Sequence, residues 1–182
     1  MVILYLGTEE DRRAQYRKGL EGYPVREIRQ EELKKSPRQL AEEDQEPVQA
    51  ETGTPQEGRA FLFADLPDLD ETNVRALLEQ LEKAGIEKPL MAVRTEHNMD
   101  WPLQQLADEI AREEAYFKDR EELAALLGTF SQEEMKDPYI GRSVMTAYMM
   151  LRARELSEQD LALALQALRE IRAGLDKNQQ AD

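Results

Sequence analysis

Residues 60–103 read AFLFADLPDLDETNVRALLEQLEKAGIEKPLMAVRTEHNMDWPL. Phe61 to Ala64 is a short continuous apolar run, the pattern of a strand buried on both faces. Asp65, Leu66, Pro67 and Asp68 interrupt it with turn chemistry. Asp68 or Asp70 is placed to cap a helix by accepting from its free N–H groups. Val74, Leu77, Leu78 and Leu81 then recur on one helical face. Gly85 supplies a left-handed stop, with Ile86 folding back as in a Schellman cap. Leu90 to Val93 is a second strand-length run. Thr95 to Asp100 is a polar loop holding the single histidine, His97, and Trp101 follows as the single tryptophan. Pro102 suits a first helical turn, where its missing N–H costs nothing. Leu103, Leu106, Ala107, Ile110 and Phe117 continue as a helical stripe.

The N-terminal residues carry the same order. Val2 to Leu6 reads as a buried strand, Gly7 ends it, and Thr8 with Asp11 can cap a helix. Tyr16, Leu20 and Tyr23 share a face, Gly22 and Pro24 terminate it, and Val25 to Ile28 is a short strand. Two strand–helix–strand units in series point to an α+β protein with a ferredoxin-like sandwich. A small flavodoxin-like parallel sheet is the alternative. The strongly apolar first and third strands belong at the centre and the weaker second and fourth at the edges. In the ferredoxin-like sandwich, the loop after Val93 lies opposite the loops after Leu6 and Ala64. In the parallel sheet all three converge.

These units occupy residues 1–29 and 59–118 of one domain. Residues 30–58 between them read as an acidic flexible linker or loop. From Gln39 to Gly58 there is Glu42, Glu43, Asp44, Glu46, Glu51 and Glu57, few large apolar residues, and no lysine or arginine. Residues 119–182 form a helical region. Lys118 to Leu127 extends the preceding helix toward Gly128, and Ser131 with Glu134 forms a capping box. Asp137-Pro138 starts a helix with Ile140, Val144, Ala147, Tyr148 and Leu151 on one face. Ser157 with Asp160 starts the last, striped by Leu161, Ala164, Leu165, Leu168, Ile171 and Leu175. Asp176 to Asp182 reads as a frayed tail.

Composition narrows the function classes. Of 182 residues, 41% are hydrophobic and 34% charged, with a formal net charge of −14. That balance argues against nucleic acid and against an anionic membrane surface. The absence of cysteine removes disulfides, thiolate metal sites and cysteine nucleophiles, and fits a cytoplasmic protein. The apolar start Met1–Leu6 is too short for a signal peptide, and no run approaches a membrane span.

Candidate chemistry is sparse. His97 stands beside Glu96, Asn98 and Asp100, and histidine is the side-chain type most often used as a proton shuttle or metal ligand; an ordinary loop histidine is the favoured reading. Asp65, Asp68 and Asp70 alternate as hard oxygen donors, but lack EF-hand offsets and are explained by capping. Gly7-Thr8 opens a helix, yet Glu9, Glu10 and Asp11 would repel a phosphate. Trp101 at a loop–helix junction reads as an anchor rather than a stacking platform. Met145, Met149 and Met150, beside Tyr139 and Tyr148, read as core rather than as a plastic binding face.

Gly85-Ile86, Pro89-Leu90, Ala92-Val93, Thr95, Asn98, Trp101 and Leu103, after the Phe61 strand and Leu-rich helix, resemble a bacterial domain of unknown function, numbered 3783. The likeness covers about Ala60 to Phe117 and is weaker over the first unit. An acidic low-complexity insertion preceding the segment also resembles that family. Asn98 and Trp101 match its pattern; His97 does not belong to it, and Pro102 stands where Ser or Thr is expected. The resemblance implies a fold unit and a bacterial cytoplasmic setting, and no activity. The expectation is a non-enzymatic protein-interaction or regulatory module, acting on a protein partner or by self-association through the C-terminal helices. The alternative is a small-molecule or divalent-cation binding domain using Asp65, Asp68, His97, Asn98 and Trp101. No cofactor, resident metal or catalytic residue is expected.

Overall fold

The computed structural model describes residues 2–5, 10–43, 60–65, 71–153 and 156–179. They form two compact units, residues 1–111 and 112–182. The expected caps at Thr8, Asp68 and Asp70, the Gly7-Thr8 phosphate reading, residues 44–58 of the expected linker and the last residues of the expected frayed tail lie outside the described residues.

The first unit is built on four strands: β1 (Val2–Tyr5), β2 (Val25–Glu27), β3 (Phe61–Ala64) and β4 (Leu90–Val93), in the order β2-β1-β3-β4. The apolar β1 and β3 are central and the weaker strands are edges, as their composition implies. β1 and β2 are parallel, with Val2 opposite Val25, and β3 and β4 are parallel, with Phe61 opposite Leu90. β1 and β3 are antiparallel, with Val2 opposite Ala64 and Tyr5 opposite Phe61.

Neither expected topology is found. A ferredoxin-like sandwich is a split βαβ, in which another strand separates the two strands joined through a helix. Here those strands are direct neighbours in both units. The flavodoxin-like order 2-1-3-4 is matched, but its all-parallel direction is not. The sheet is two βαβ units meeting back to back along an antiparallel seam. Their helices are α1 (Glu10–Gly19) and α3 (Glu71–Lys83).

Both faces of the sheet are covered, which is why β3 lacks polar alternation. Leu62 and Ala64 pack with Tyr16 of α1, Leu20 just after it, and Leu77 and Leu81 of α3. Phe61 and Phe63 pack on the other face with Ile28, Leu33, Leu40, Leu103 and Leu106. Gly85 closes α3 at φ 70°, and Ile86 folds back, its N–H donating to the Leu81 carbonyl at 3.0 Å.

Leu33 and Leu40 correct the expectation of a linker from residue 30. A 3-10 turn (Gln30–Lys34) and α2 (Pro37–Glu42) are packed structure, with both leucines buried. Ser36 begins α2 with a capping box: it accepts from the Gln39 N–H at 3.3 Å, and its own N–H donates to Gln39 Oε1 at 2.9 Å. Arg26 on β2, only 5% exposed, donates to the Leu40 and Glu43 carbonyls at the C-terminus of α2. A guanidinium there satisfies carbonyls the helix leaves without partners.

The second unit contains the rest of α4 (Leu103–Leu127), α5 (Pro138–Arg152) and α6 (Glu158–Gln179). The helical region therefore begins inside α4, ahead of residue 119. Leu123, Phe130, Val144, Ala147, Leu161, Ala164, Leu165 and Leu168 form its core. The predicted stripe of α6 is the buried one. Asp137 caps α5, accepting from the Tyr139 and Ile140 N–H groups at 2.8 and 3.1 Å. Ser157 caps α6, accepting from the Asp160 N–H at 3.0 Å. Arg120 donates to the Leu151 carbonyl at 2.8 Å, and the Tyr116 hydroxyl donates to the Leu156 carbonyl at 2.9 Å.

A second arginine organises the turn before α5. Arg172 of α6 pairs with Glu134 at 2.9 Å, donates to the Thr129 carbonyl at 3.2 Å, and lies over the Phe130 ring. The Ser131 N–H, then Arg172, then the Ser131 hydroxyl hold the Glu134 carboxyl down at about 2.

Candidate functional site

Two surfaces could carry function. The first is the end of the sheet where β3 and β4 finish. Because these strands are parallel neighbours, the loops after Ala64 and Val93 leave from the same end. This corrects the ferredoxin-like expectation, which set them at opposite ends. β1 runs the other way and finishes at the far end.

Asp65 pairs with Arg94 at 2.9 Å, and the Arg94 N–H donates to the Ala64 carbonyl at 2.9 Å. Asn98 serves its own loop. Its Oδ1 accepts from the Thr95 N–H at 2.8 Å, and its Nδ2 donates to the Val93 carbonyl at 2.8 Å. Such short-range bonds replace a backbone turn. Met99 turns inward to the core, and Asp100 holds Arg38 at 2.7 Å. Arg38 keeps the Asp100 carboxyl below its usual range, and Asp100 raises Arg38, chiefly through that hydrogen bond. His97 is exposed and Trp101 is 40% exposed. Asp68 lies outside the described residues.

The loop that opens with Asp65 and the loop that carries His97, Asn98 and Trp101 therefore start from the same end of the sheet. Two of these residues are already engaged: Asp65 by Arg94, and Asn98 by backbone. Among the described residues, no group of three or more His, Cys, Asp or Glu is arranged to hold a metal ion.

The second surface is the outward face of α5. Val144 and Ala147 turn to the core as expected, but Tyr148 does not; it is 45% exposed. Met145 and Met149 are 60% and 62% exposed, and Tyr139 is 71% exposed. The core reading of these residues is corrected: α5 has a core stripe and a second apolar stripe facing outward. Met150 alone of the three methionines packs partly against the core. Phe117, expected on the α4 stripe, is likewise exposed. Periodicity does not distinguish two apolar stripes when one helix carries both. The usable signal was the excess of apolar residues over what one buried face of α5 needs.

Arg142, Met145, Thr146, Met149, Met150 and Ala153 line a shallow groove of about 520 Å³. A narrower groove between α5 and α6 adjoins it, lined by Arg142, Thr146 and Met150 with Ala164 and Ala167 of α6.

Residues 61–117 match the family model described as Domain of unknown function (DUF3783). The match takes in β3, α3, β4 and the first part of α4, as the resemblance at Gly85, Asn98 and Trp101 implies. It includes the Asp65–Trp101 loop end and stops before α5. No curated protein and no solved structure gives a match. Among the described residues no helix is long and apolar enough to cross a membrane.

Proposed function

We propose that this protein is a non-enzymatic protein-interaction or regulatory module of the cytoplasm, which docks a protein partner on α5. The observation that carries this reading is the exposure of Met145 and Met149 at helical spacing beside Tyr148. Large apolar side chains gathered on one face mark interaction sites more often than singly scattered ones do. Methionine adapts its shape to a partner at little cost, and tyrosine supplies rigid contact area with a polar tip.

The test is affinity capture from a cell extract by the full chain and by a Met145→Asp, Met149→Asp variant. The expected result is a retained protein that the variant loses while its circular dichroism stays that of the parent. Identical retention by both, or none by either, sinks the reading. The alternative, a small-molecule or divalent-cation site at Asp65, His97, Asn98 and Trp101, draws support from the shared end of β3 and β4. It is weakened because the Asp65 carboxylate and the Asn98 amide already have partners. A thermal-shift screen with metals and metabolites decides it, since a native-state ligand raises the melting temperature and His97→Ala would abolish the rise.

A further inference from the structure

Resting on the α5 reading, we infer that the occupant of this face is an acidic amphipathic helix of another protein. The first ground is charge. The chain holds 38 acidic residues against 24 lysines and arginines, yet none of the acids falls between Pro138 and Ala153. α5 carries Arg142 and Arg152 instead. Arg142 is exposed and makes no ion pair among the described residues.

The second ground is spacing. Arg142, Met145, Met149 and Arg152 stand at steps of three, four and three, which places them along one helical stripe. The order is basic, apolar, apolar, basic. An amphipathic helix lying in a groove presents apolar anchors at the same period. Carboxylates flanking those anchors would meet the two arginines. The third ground is room. The adjoining groove is floored by Ala164 and Ala167, whose small side chains let another backbone approach.

A second copy of this chain fits the stripe poorly. An isologous contact repeats each residue across a twofold axis. Centred between Met145 and Met149 with antiparallel helices, it brings Arg142 toward Arg152 of the other copy. Like charges across an interface oppose association, and α5 offers no acid to offset them.

The test uses the full chain and a fluorescent synthetic peptide of about 18 residues, helical, with leucines at i, i+3 and i+7 and glutamates on its flanks. Its counterpart has lysine at every glutamate. Binding is read by anisotropy with the parent, Met149→Asp and Arg142→Glu, all checked by circular dichroism. The net charge of −14 attracts the lysine peptide non-specifically, so the quantity compared is the part of binding that Met149→Asp removes. That part is expected to favour the glutamate peptide roughly tenfold, to weaken with salt, and to lose its preference in Arg142→Glu. A Met149-dependent preference for the lysine peptide, or none, overturns the inference. So does a Met149-dependent dimer in sedimentation without peptide binding, or Met149-dependent binding to anionic vesicles in place of the peptide. If extract capture still depends on α5 while the glutamate peptide is not preferred, the inference alone falls. If capture is independent of α5, the interaction reading falls with it.

Discussion

Replacing Gly141 by alanine tests the packing of the second unit through a sign. Glycine inside a helix normally lowers stability, so alanine should gain about 1 kcal/mol. At Gly174 of α6 this rule applies without obstruction, because an added Cβ meets nothing within 4 Å. At Gly141 of α5 the same Cβ would lie closer than 3.0 Å to the Met135 carbonyl oxygen. The obstacle is backbone, not the end of a flexible side chain. Met135 belongs to the 3-10 turn Glu134–Lys136, which the Arg172–Glu134 pair holds in place at 2.9 Å. Relief requires that turn or the start of α5 to shift. Overpacking of this kind costs about 1–3 kcal/mol, which cancels the gain in propensity and reverses it. We expect Gly174→Ala to stabilise by about 0.5–1 kcal/mol. We expect Gly141→Ala to give no gain and to destabilise by up to about 2 kcal/mol, the clash less the propensity gain. With an m-value of about 2 kcal/mol per M, the urea midpoint rises by up to about half a molar in Gly174→Ala and falls by up to about one molar in Gly141→Ala. Urea denaturation followed by circular dichroism at fixed pH measures both. Equal stabilisation by the two substitutions would refute the close approach of Met135 to α5.

Glu134 sets an acid limit on the same unit. Its folded carboxyl is held at about 2, below the unfolded value, so its contribution is full above roughly pH 5. It declines as pH falls toward about 2, and Glu134→Gln should flatten that part of the stability–pH curve in acid titrations followed by circular dichroism. Leu40→Ala tests whether residues 30–43 belong to the core: a fully buried leucine there should cost about 2–5 kcal/mol in denaturant melts, and a flexible linker nothing. Ser36→Ala, which removes the cap of α2, should cost about 1 kcal/mol in the same assay. Met145→Ser and Met149→Ser should each stay within about 0.5 kcal/mol of the parent, since both side chains are exposed; losses above about 2 kcal/mol would return them to the core.

Much of the local structure is determined by the sequence alone. The stop at Gly85, the caps at Ser131, Asp137 and Ser157, the buried stripe of α6 and the central places of β1 and β3 follow from short-range chemistry. Each depends on a few neighbouring residues, on backbone hydrogen bonds or on apolar period, and those are written along the chain. The match over residues 61–117 belongs with them. Strand direction does not. An apolar run such as Phe61 to Ala64 looks the same whether its neighbour runs parallel or antiparallel, so the antiparallel seam between β1 and β3 was settled by tertiary packing. Leu33, Leu40 and the Arg26 cap joined the core for a similar reason: sparse apolar residues among charges count as structure only when a sheet face offers them a partner. The sheet's direction also set the Asp65 and His97 loops leaving from one end, and packing left one stripe of α5 buried and the other in water. Periodicity counts apolar stripes; it does not record which of them finds a neighbour.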